Sequence, residues 1–496
     1  MTTQDQTIEA AGAPATPRRI GAHVGGWQVV DDAAARDVLN PADTRERVAV
    51  VTRSGPEVVD QALEVARDAA PSWGRTSALQ RGAILARAAE IMASRAEEVA
   101  IAMTREMGKI IAESRVEAQR SAEFLRFFAQ APKLQAGATF PLGAPDEQAF
   151  TLRAPLGVVG LITPWNFPLS IPVWKTAAAL AFGNAVVLKP AELSPWSAAL
   201  MVECLLEAGL PPEVLSMLPG SGSEIGPALV DSPVTAGISF TGSTPVGREI
   251  VRRGAHAGTR MQCEMGGRNA IVVMADADLD AAISAIVNAG FGTTGQRCTS
   301  SSRVIVERSI ADEVTERLVQ AASALSVGPG LDPANDIGPL ASAKQLDDVL
   351  DALDRATSAG TEIVWGGSRL SEGRLAHGHF MEPTLTRDRV DNWFAGHEPF
   401  GPVISIFEAD DFEDALAMNN SVEYGLASSI FTRDLAHAMR FVHESDTGMV
   451  HVNRPTVGAE PHIPFGGAKA SSIGPPEMGG AHEFYTKSRS AHVRWA

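Results

Sequence analysis

The sequence predicts an α/β protein built on two mainly parallel sheets. Three features carry that prediction. From Gly157 onward, short β-branched runs alternate with helical patterns, the signature of βαβ units. Several of the runs end in Gly, Ser or Thr and open directly into a helix, as at Gly220–Gly226 and Gly242–Thr244. The chain has 496 residues, 45% of them apolar, enough to bury a large core and, at about 150 residues per domain, to form about three domains.

The elements follow in order. Met1–Pro17 is polar and Ala/Thr-rich, without the apolar stretch of a signal peptide, and reads as a frayed tail. Val58–Arg105 reads as helices, with apolar residues at three and four spacing through Val59, Ala62, Val65 and Ala66, then Ile84, Ala88 and Ile91. Ala154–Trp174 carries no charge and is long enough to span a bilayer, but its four prolines exclude a lipid-exposed helix. It reads instead as a strand, Gly157–Thr163, then a proline-rich loop and a helix at Val173–Ala181. Strands follow at Ala185–Leu188, Val214–Met217 and Ala236–Phe240, with a helix from Ser194 to Ala208. A second α/β texture, Asn269 to Val442, has strands near Ala270–Val273, Arg303–Val306, Glu362–Trp365 and Val403–Phe407. Thr139–Leu152 and Tyr485–Trp495 read as two strands outside these cores, suited to an oligomer interface.

Charge and cysteine content narrow the function. There are 42 Lys and Arg against 59 Asp and Glu, a net charge of −17. Neither nucleic acid nor an anionic membrane surface suits so acidic a chain, since both need a basic face. Three cysteines, Cys204, Cys263 and Cys298, make no disulfide framework, point to a reducing compartment such as the cytoplasm, and show no metal-ligand spacing.

The residues with chemical potential cluster in short segments. Cys298 follows Gly295-Gln-Arg297 and precedes four hydroxyl residues, Thr299–Ser302. A cation beside a thiol lowers its pKa, so Arg297 is expected to activate Cys298, where an ordinary cysteine would be a small core residue. Glu264, before Met-Gly266-Gly267, reads as a strand-end carboxylate, either a cap or a general base. Asn166, in Thr163-Pro164-Trp165-Asn166-Phe167-Pro168, has an amide able to donate to an oxyanion, or to make a simple Asx turn. Two loops follow strands and open helices: Gly220-Ser-Gly222-Ser-Glu-Ile-Gly226, and Phe240-Thr-Gly242-Ser243-Thr244. Both suit phosphate at a helix N-terminus. Lys189 and Glu192, at the end of a strand, suit ribose hydroxyls or solvent.

Taken together, these segments resemble the aldehyde dehydrogenase superfamily, in its NAD(P)-dependent hydrolytic branch. The resemblance runs from Asn40-Pro41-Ala42 to the C-terminal strand and includes Glu398-Pro-Phe400-Gly-Pro and Pro464-Phe-Gly-Gly467. Glu264 and Cys298 are 34 residues apart, as in the family. The resemblance implies an α/β aldehyde dehydrogenase fold. A Rossmann-like cofactor domain would span 1–134 and 154–263, a catalytic domain 264–465, and a small β oligomerisation element 135–153 and 484–496. It implies Cys298 as nucleophile, Asn166 with the Cys298 N–H as oxyanion hole, Glu264 as the base for the deacylating water, and Lys175 as a proton-relay lysine. Thr163, Pro164, Trp165, Lys189, Glu192, Gly222, Gly226, Phe240, Gly242, Ser243, Gly266, Glu398 and Phe400 fall on the cofactor side. No metal is required. A homodimer or homotetramer is implied, with a small-molecule aldehyde as partner. Glu264 favours hydrolysis over acyl transfer to coenzyme A. Glu192 favours NAD over NADP, since a carboxylate beside the ribose repels a 2′-phosphate. Two positions depart from the pattern. Arg268 stands where Lys is usual, and Pro476 stands before Glu477 where Arg is common, which puts a relay role for Glu477 in doubt.

For the substrate, Asn453–Gly458, His462–Gly474 and Glu483–Thr486 resemble α-ketoglutaric semialdehyde (2,5-dioxopentanoate) dehydrogenases. A carboxylated aldehyde needs a cation, for which Arg297 and Arg454 are candidates. Phe167 and Trp174 suggest an apolar tunnel, which leaves broad-range aromatic or aliphatic aldehydes, or succinic semialdehyde, as alternatives. An idle structural relative would lack Cys298 or Glu264, and both are present.

Overall fold

A computed structural model of the chain describes residues 16–31, 33–134 and 137–495. The expected tail Met1–Pro17 lies outside them save for its last two residues. The chain enters through a three-stranded sheet that sequence reading did not anticipate. Ala35–Asn40 and Asp43–Thr52 form a hairpin, and Arg18–Ile20 pairs in parallel with the latter. Charges at Arg36, Asp37, Arg45, Glu46 and Arg47 mask its apolar alternation.

Four helices follow: Pro56–Arg75, Ala78–Ser94, Ala96–Met107 and Ile111–Phe128. The first opens on Pro56, whose missing N–H costs nothing at a helix start. The second has a reciprocal capping box between Ser77 and Gln80. The third stops at Gly108, whose φ of 97° only glycine adopts freely.

The first large sheet has five parallel strands. In chain order they are Val158–Ile162, Ala185–Lys189, Leu215–Met217, Thr235–Thr241 and Arg260–Glu264. In space they lie third, second, first, fourth, fifth, and Ser472–Ile473 adds an antiparallel edge beside the fifth. Alternate residues serve opposite faces. Val159, Leu161, Val186 and Leu188 enter one core, while Val158, Ile162, Ala185 and Val187 enter the other. The strand order reverses between Val158–Ile162 and Thr235–Thr241. Open α/β sheets bind ligands beyond the carboxyl ends of the strands at such a reversal.

The second sheet has seven strands in the spatial order Glu362–Trp365, Thr384–Arg387, Val403–Ala409, Ser301–Glu307, Asn269–Val273, Ala427–Phe431 and Met449–Val452. All pairs are parallel except the first. Thr384–Arg387 and the last two strands were not foreseen. Ala427–Phe431 has buried Ser428 and Ser429 in place of β-branched residues, which hides it from a hydropathy reading. The linker Met265–Arg268 runs straight from the carboxyl end of the first sheet to the amino end of the second, so Glu264 and Asn269 bracket the junction.

The two outlying strands pair with each other. Thr486–Arg494 runs antiparallel to Glu147–Pro155 from Thr486 opposite Pro155 to Arg494 opposite Glu147, and Thr139–Pro141 forms the outer strand. Leu152, Val493 and Trp495 are exposed on or beside this sheet. Among the described residues no helix is long and apolar enough to cross a membrane.

Candidate active site

Cys298 is delivered by a strained turn. Helix Leu279–Phe291 ends and the chain passes through Thr293 (φ 52°), Thr294 (φ 58°) and Gly295 (φ 69°). A side chain at Gly295 would place its Cβ 2.0 Å from the Gly401 carbonyl oxygen, so this position admits glycine alone. Left-handed threonines are costly and persist where surrounding contacts impose them. Those contacts are visible. Asn269 Nδ2 donates to the carbonyls of Cys298 (2.8 Å) and Ser300 (2.9 Å), and Asn269 Oδ1 accepts from Ala427 N. Gln296 Oε1 accepts from Ala341 N at 2.9 Å.

Asn166 meets this turn from the other sheet. Its Nδ2 donates to the Gln296 carbonyl at 3.0 Å, while its buried Oδ1 has no partner. An amide NH2 carries two donors, so one N–H stays available to an oxyanion. A buried pair holds the Asn166 loop. Lys109 Nζ donates to Glu117 and to the Asn166 carbonyl (2.8 Å), and Glu117 accepts from the N–H groups of Leu169 (3.1 Å) and Ser170 (2.9 Å).

The Cys298 thiol is pushed up to about 12, first by burial and then by the nearby Glu398 and Glu264 carboxylates. This corrects the expectation that Arg297 lowers it. Arg297 donates to Glu113 (2.6 Å) and to Thr293 Oγ1 (2.9 Å), so its charge is already answered and burial dominates. Burial and the neighbouring Glu477 hold the Glu264 carboxyl well above its usual range, although Ser472 Oγ donates to it. Lys175 forms a buried ion pair with Glu477 and donates to Ser239 Oγ at 2.6 Å, and Trp174 Nε1 donates to Glu477 at 2.7 Å. Pro476 therefore does not displace Glu477 from the lysine.

Two cavities share Cys298, Thr241 and Met265 in their walls. One, of about 530 Å³, is lined by Pro164, Trp165, Asn166, Gly242, Ser243, Gly266, Glu398 and Phe400. Its walls suit a closely approaching ligand. A Cβ on Gly242 would stand 2.6 Å from the Phe240 ring, and one on Gly266 would stand 2.2 Å from Glu398 Oε2. Thr241 presents a buried hydroxyl without a partner. Glu398 accepts from Gly267 N at 2.9 Å, and burial raises it to about 7. Phe400, at φ 47°, meets Trp165 edge-on at 5.5 Å.

The other cavity, of about 640 Å³, takes in Phe167, Trp174, Glu264 and Arg297, together with Phe124, Ile171 and Phe465. Helix Ile111–Phe128 lays Glu113, Val116, Glu117, Arg120 and Phe124 along it. Sequence reading passed over these residues. Their signal, charged groups at helical spacing among small residues, is the same as that of any solvated helix face. Arg454 is exposed and absent from this wall, and only its neighbour Pro455 reaches it. The expectation that Arg454 faces the substrate is thereby corrected: it is exposed and lines neither cavity.

Thr163, Phe240, Lys189, Glu192, Gly222 and Gly226 line neither cavity. Lys189 Nζ lies 3.5 Å from where a Cβ on Gly222 would stand. Glu192 is not a free carboxylate, because Arg36 and Arg53 both pair with it. Among the described residues no three His, Cys, Asp or Glu side chains are grouped to hold a metal ion.

A doubly wound sheet joined at its carboxyl edge to a second α/β sheet thus sets a cysteine, a carboxylate and an amide at the junction, between two cavities. The chain belongs to the aldehyde dehydrogenase family, whose model matches residues 27–491. It is 38% identical over 472 residues to an α-ketoglutaric semialdehyde dehydrogenase of Bacillus subtilis (strain 168), covering 95% of this chain and 97% of the relative. It is 39% identical over 462 residues to a 2,5-dioxopentanoate dehydrogenase of Saccharolobus solfataricus, covering 92% and 96%. PnpE, from Pseudomonas sp. WBC-3, solved in complex with nicotinamide adenine dinucleotide, superposes with a TM-score of 0.92 at 34% identity, covering 96% of this chain and 97% of PnpE.

Proposed function

We propose that this aldehyde dehydrogenase oxidises a short carboxylated semialdehyde, of the α-ketoglutaric semialdehyde type, to its acid, with a nicotinamide dinucleotide as acceptor. The observation that carries the reading is the pair of cavities meeting at Cys298, one with Gly242 and Gly266 in its wall, the other mainly apolar with Arg120 in its wall.

In the first step Cys298 Sγ bonds to the aldehyde carbon, the carbonyl π pair moves onto oxygen, and the thiol proton passes to water in the substrate cavity. Asn166 and the Cys298 N–H stabilise the oxygen that gains charge. A bound dinucleotide supplies a hydride acceptor. Trp165, Gly242, Ser243, Gly266, Glu398 and Phe400 would hold it, with Thr163 and Phe240 behind that wall and Gly222, Gly226, Lys189 and Glu192 at its far end. Loss of hydride from the substrate carbon leaves a thioester on Cys298. Glu264 takes a proton from water, water adds to the thioester, the S–C bond breaks, and the acid leaves. The raised Glu264 carboxyl suits this work, since burial makes its carboxylate more basic. Lys175 and Glu477 provide a buried polar path behind it.

Support for the substrate comes from the two semialdehyde dehydrogenase relatives and from Arg120 in the cavity wall, whereas Arg297 there is paired with Glu113. A second reading, a broad aromatic or aliphatic range, draws on Phe124, Phe167, Trp174 and Phe465 in the same wall. Comparing kcat/KM across α-ketoglutaric semialdehyde, succinic semialdehyde, benzaldehyde and hexanal decides between them. A preference of more than about a hundredfold (about 2.7 kcal/mol) for the dicarbonyl acid supports the first. Equal or better rates with hexanal or benzaldehyde support the second.

The proposal extends to organisation. Cofactor and catalytic domains divide at 264, between the two large sheets. The sheet built from Thr139–Pro141, Glu147–Pro155 and Thr486–Arg494 mediates a homodimer or homotetramer. Three free cysteines suit a cytoplasmic setting.

A further inference from the structure

Helix Ile111–Phe128 grips both halves of the site with one of its faces. Glu113, Glu117 and Ser121 stand four residues apart, so they project to the same side. Glu113 Oε1 accepts from the Thr293 N–H at 2.7 Å and from Arg297 Nη2 at 2.6 Å, and Arg297 Nε donates to Thr293 Oγ1 at 2.9 Å. These contacts close a clasp over the left-handed stretch Thr293–Gly295 that delivers Cys298. One helical turn on, Glu117 Oε1 accepts from the N–H groups of Leu169 (3.1 Å) and Ser170 (2.9 Å). Its other oxygen accepts from Lys109, whose ammonium also donates to the Asn166 carbonyl and lies 4.4 Å from the centre of the Phe167 ring. A further turn on, the Ser121 and Ser170 hydroxyls share a hydrogen bond of 3.1 Å. Where the two gripped segments meet, Asn166 Nδ2 donates to the Gln296 carbonyl at 3.0 Å.

The grip on the Asn166 loop is costly. The Lys109 and Glu117 side chains keep 1% and 2% of their surface exposed, and a buried ion pair adds little stability over an apolar pair of the same shape. Neither group moves a proton in the mechanism above. What such a network supplies is a single arrangement, because each carboxylate oxygen is fixed by the donors it must satisfy. Stabilising an oxyanion demands that arrangement, since donors displaced by about an ångström lose most of their effect.

We infer that Glu113 and Glu117 are paired positioning residues. One helical turn separates them, and it sets the Cys298 turn against the Asn166 loop, so that the Cys298 N–H and the Asn166 amide aim at one oxygen. The inference rests on the reading of Cys298 as nucleophile and Asn166 as its oxyanion donor.

The test is the rate constant of the first burst of reduced cofactor on the full chain, by stopped flow at saturating aldehyde. The probes are α-ketoglutaric semialdehyde and hexanal with NAD+ and NADP+, taken in the combination fastest for the wild type. Glu113→Ala and Glu117→Ala should each slow the burst at least about tenfold, while the aldehyde concentration giving half the rate moves less than about threefold. Glu113→Gln and Glu117→Gln should each recover most of the loss, because an amide oxygen still accepts the backbone N–H groups. Added to Asn166→Ala, Glu117→Ala should slow the burst no more than about twofold further, since the donor it aims is gone. A merely structural glutamate would cost as much there as in the wild type. Should Glu117→Ala not fold, Glu113→Ala and Glu113→Gln, at the more exposed position, decide the matter. A burst within about twofold of wild type in Glu113→Ala, or a full tenfold loss on adding Glu117→Ala to Asn166→Ala, overturns the positioning role alone. A wild-type burst in Asn166→Ala overturns the oxyanion reading and the inference with it.

Discussion

On the proposed reading Cys298 starts as the thiol, because burial and the Glu398 and Glu264 carboxylates oppose a thiolate. The reaction therefore needs a proton acceptor at the outset and a second proton transfer at deacylation. Cys298→Ala should abolish reduced-cofactor formation, read as the loss of 340 nm absorbance growth; measurable turnover would remove the thiol from the mechanism. Glu264→Gln should keep a rapid first burst of reduced cofactor equal to the sites present and lose steady-state turnover by about a hundredfold or more, as seen in stopped flow. The pH sign follows from the raised Glu264 carboxyl. On the proposed reading its useful form is the deprotonated one, so deacylation should quicken as pH rises above the usual carboxylate range, and Glu264→Gln should flatten that limb. Asn166→Ala should cost about a hundredfold to a thousandfold in kcat, the scale of one lost oxyanion donor.

At the scale of single elements, the junction between the sheets is held by a buried guanidinium. Arg268 donates to the carbonyls of Ser302 (2.6 Å), Phe394 (3.2 Å) and Ala395 (3.2 Å) and to Ser405 Oγ (2.9 Å). Those acceptors come from three segments, and a lysine ammonium cannot reach them in one plane. Arg268→Met should leave several buried acceptors unanswered and cost about 3 kcal/mol or more, measured by urea unfolding. Helix Ile111–Phe128 offers a different test. Arg120 lies in the cavity wall and is shared with Glu460, which is half exposed, so the pair is weak and a substrate carboxylate can compete for it. Arg120→Met should raise KM for carboxylated aldehydes about tenfold or more and leave that for hexanal nearly unchanged. An equal rise for both would make Arg120 structural.

At the scale of the whole molecule, stability carries a pH term from a buried carboxyl far from catalysis. Glu106 is wholly buried against Trp196 and Ser197, and burial raises it to about 7 from 4.5. The folded state then holds a proton that the unfolded state releases, so this group makes stability fall as pH rises from about 4.5 to about 7. Glu106→Gln should make the slope of unfolding free energy less negative across that window, and an unchanged slope would show that Glu106 titrates normally. The C-terminal sheet belongs to this scale as well. Deleting Thr486–Arg494 exposes the edge of Glu147–Pro155 along its full length. The expected outcome is a smaller assembly by light scattering; an unchanged mass would place the interface elsewhere.

Much of this was legible in the sequence because local physics writes it there. Alternating β-branched runs and helical spacing marked four of the five parallel strands of the first sheet within a residue or two and left out Arg260–Glu264. Glycines beside hydroxyls marked the turns at their ends. The segments holding Asn166, Glu264 and Cys298 could be picked out because each sets a reactive group among residues that no core would choose. Other features depend on partners distant in the chain. Arg297 looked like an activating cation until the fold set Glu113 against it, 184 residues away. Glu192 looked like a free carboxylate until a hairpin 156 residues upstream set Arg36 on it. Arg454 looked like a substrate ligand, and the fold leaves it exposed, outside both cavity walls. The sequence by itself determined which groups can react, since that is a property of side chains and their immediate neighbours. Only the tertiary structure decided which charges remain uncompensated, because electrostatic balance is set by distance and burial, and neither is written in chain order.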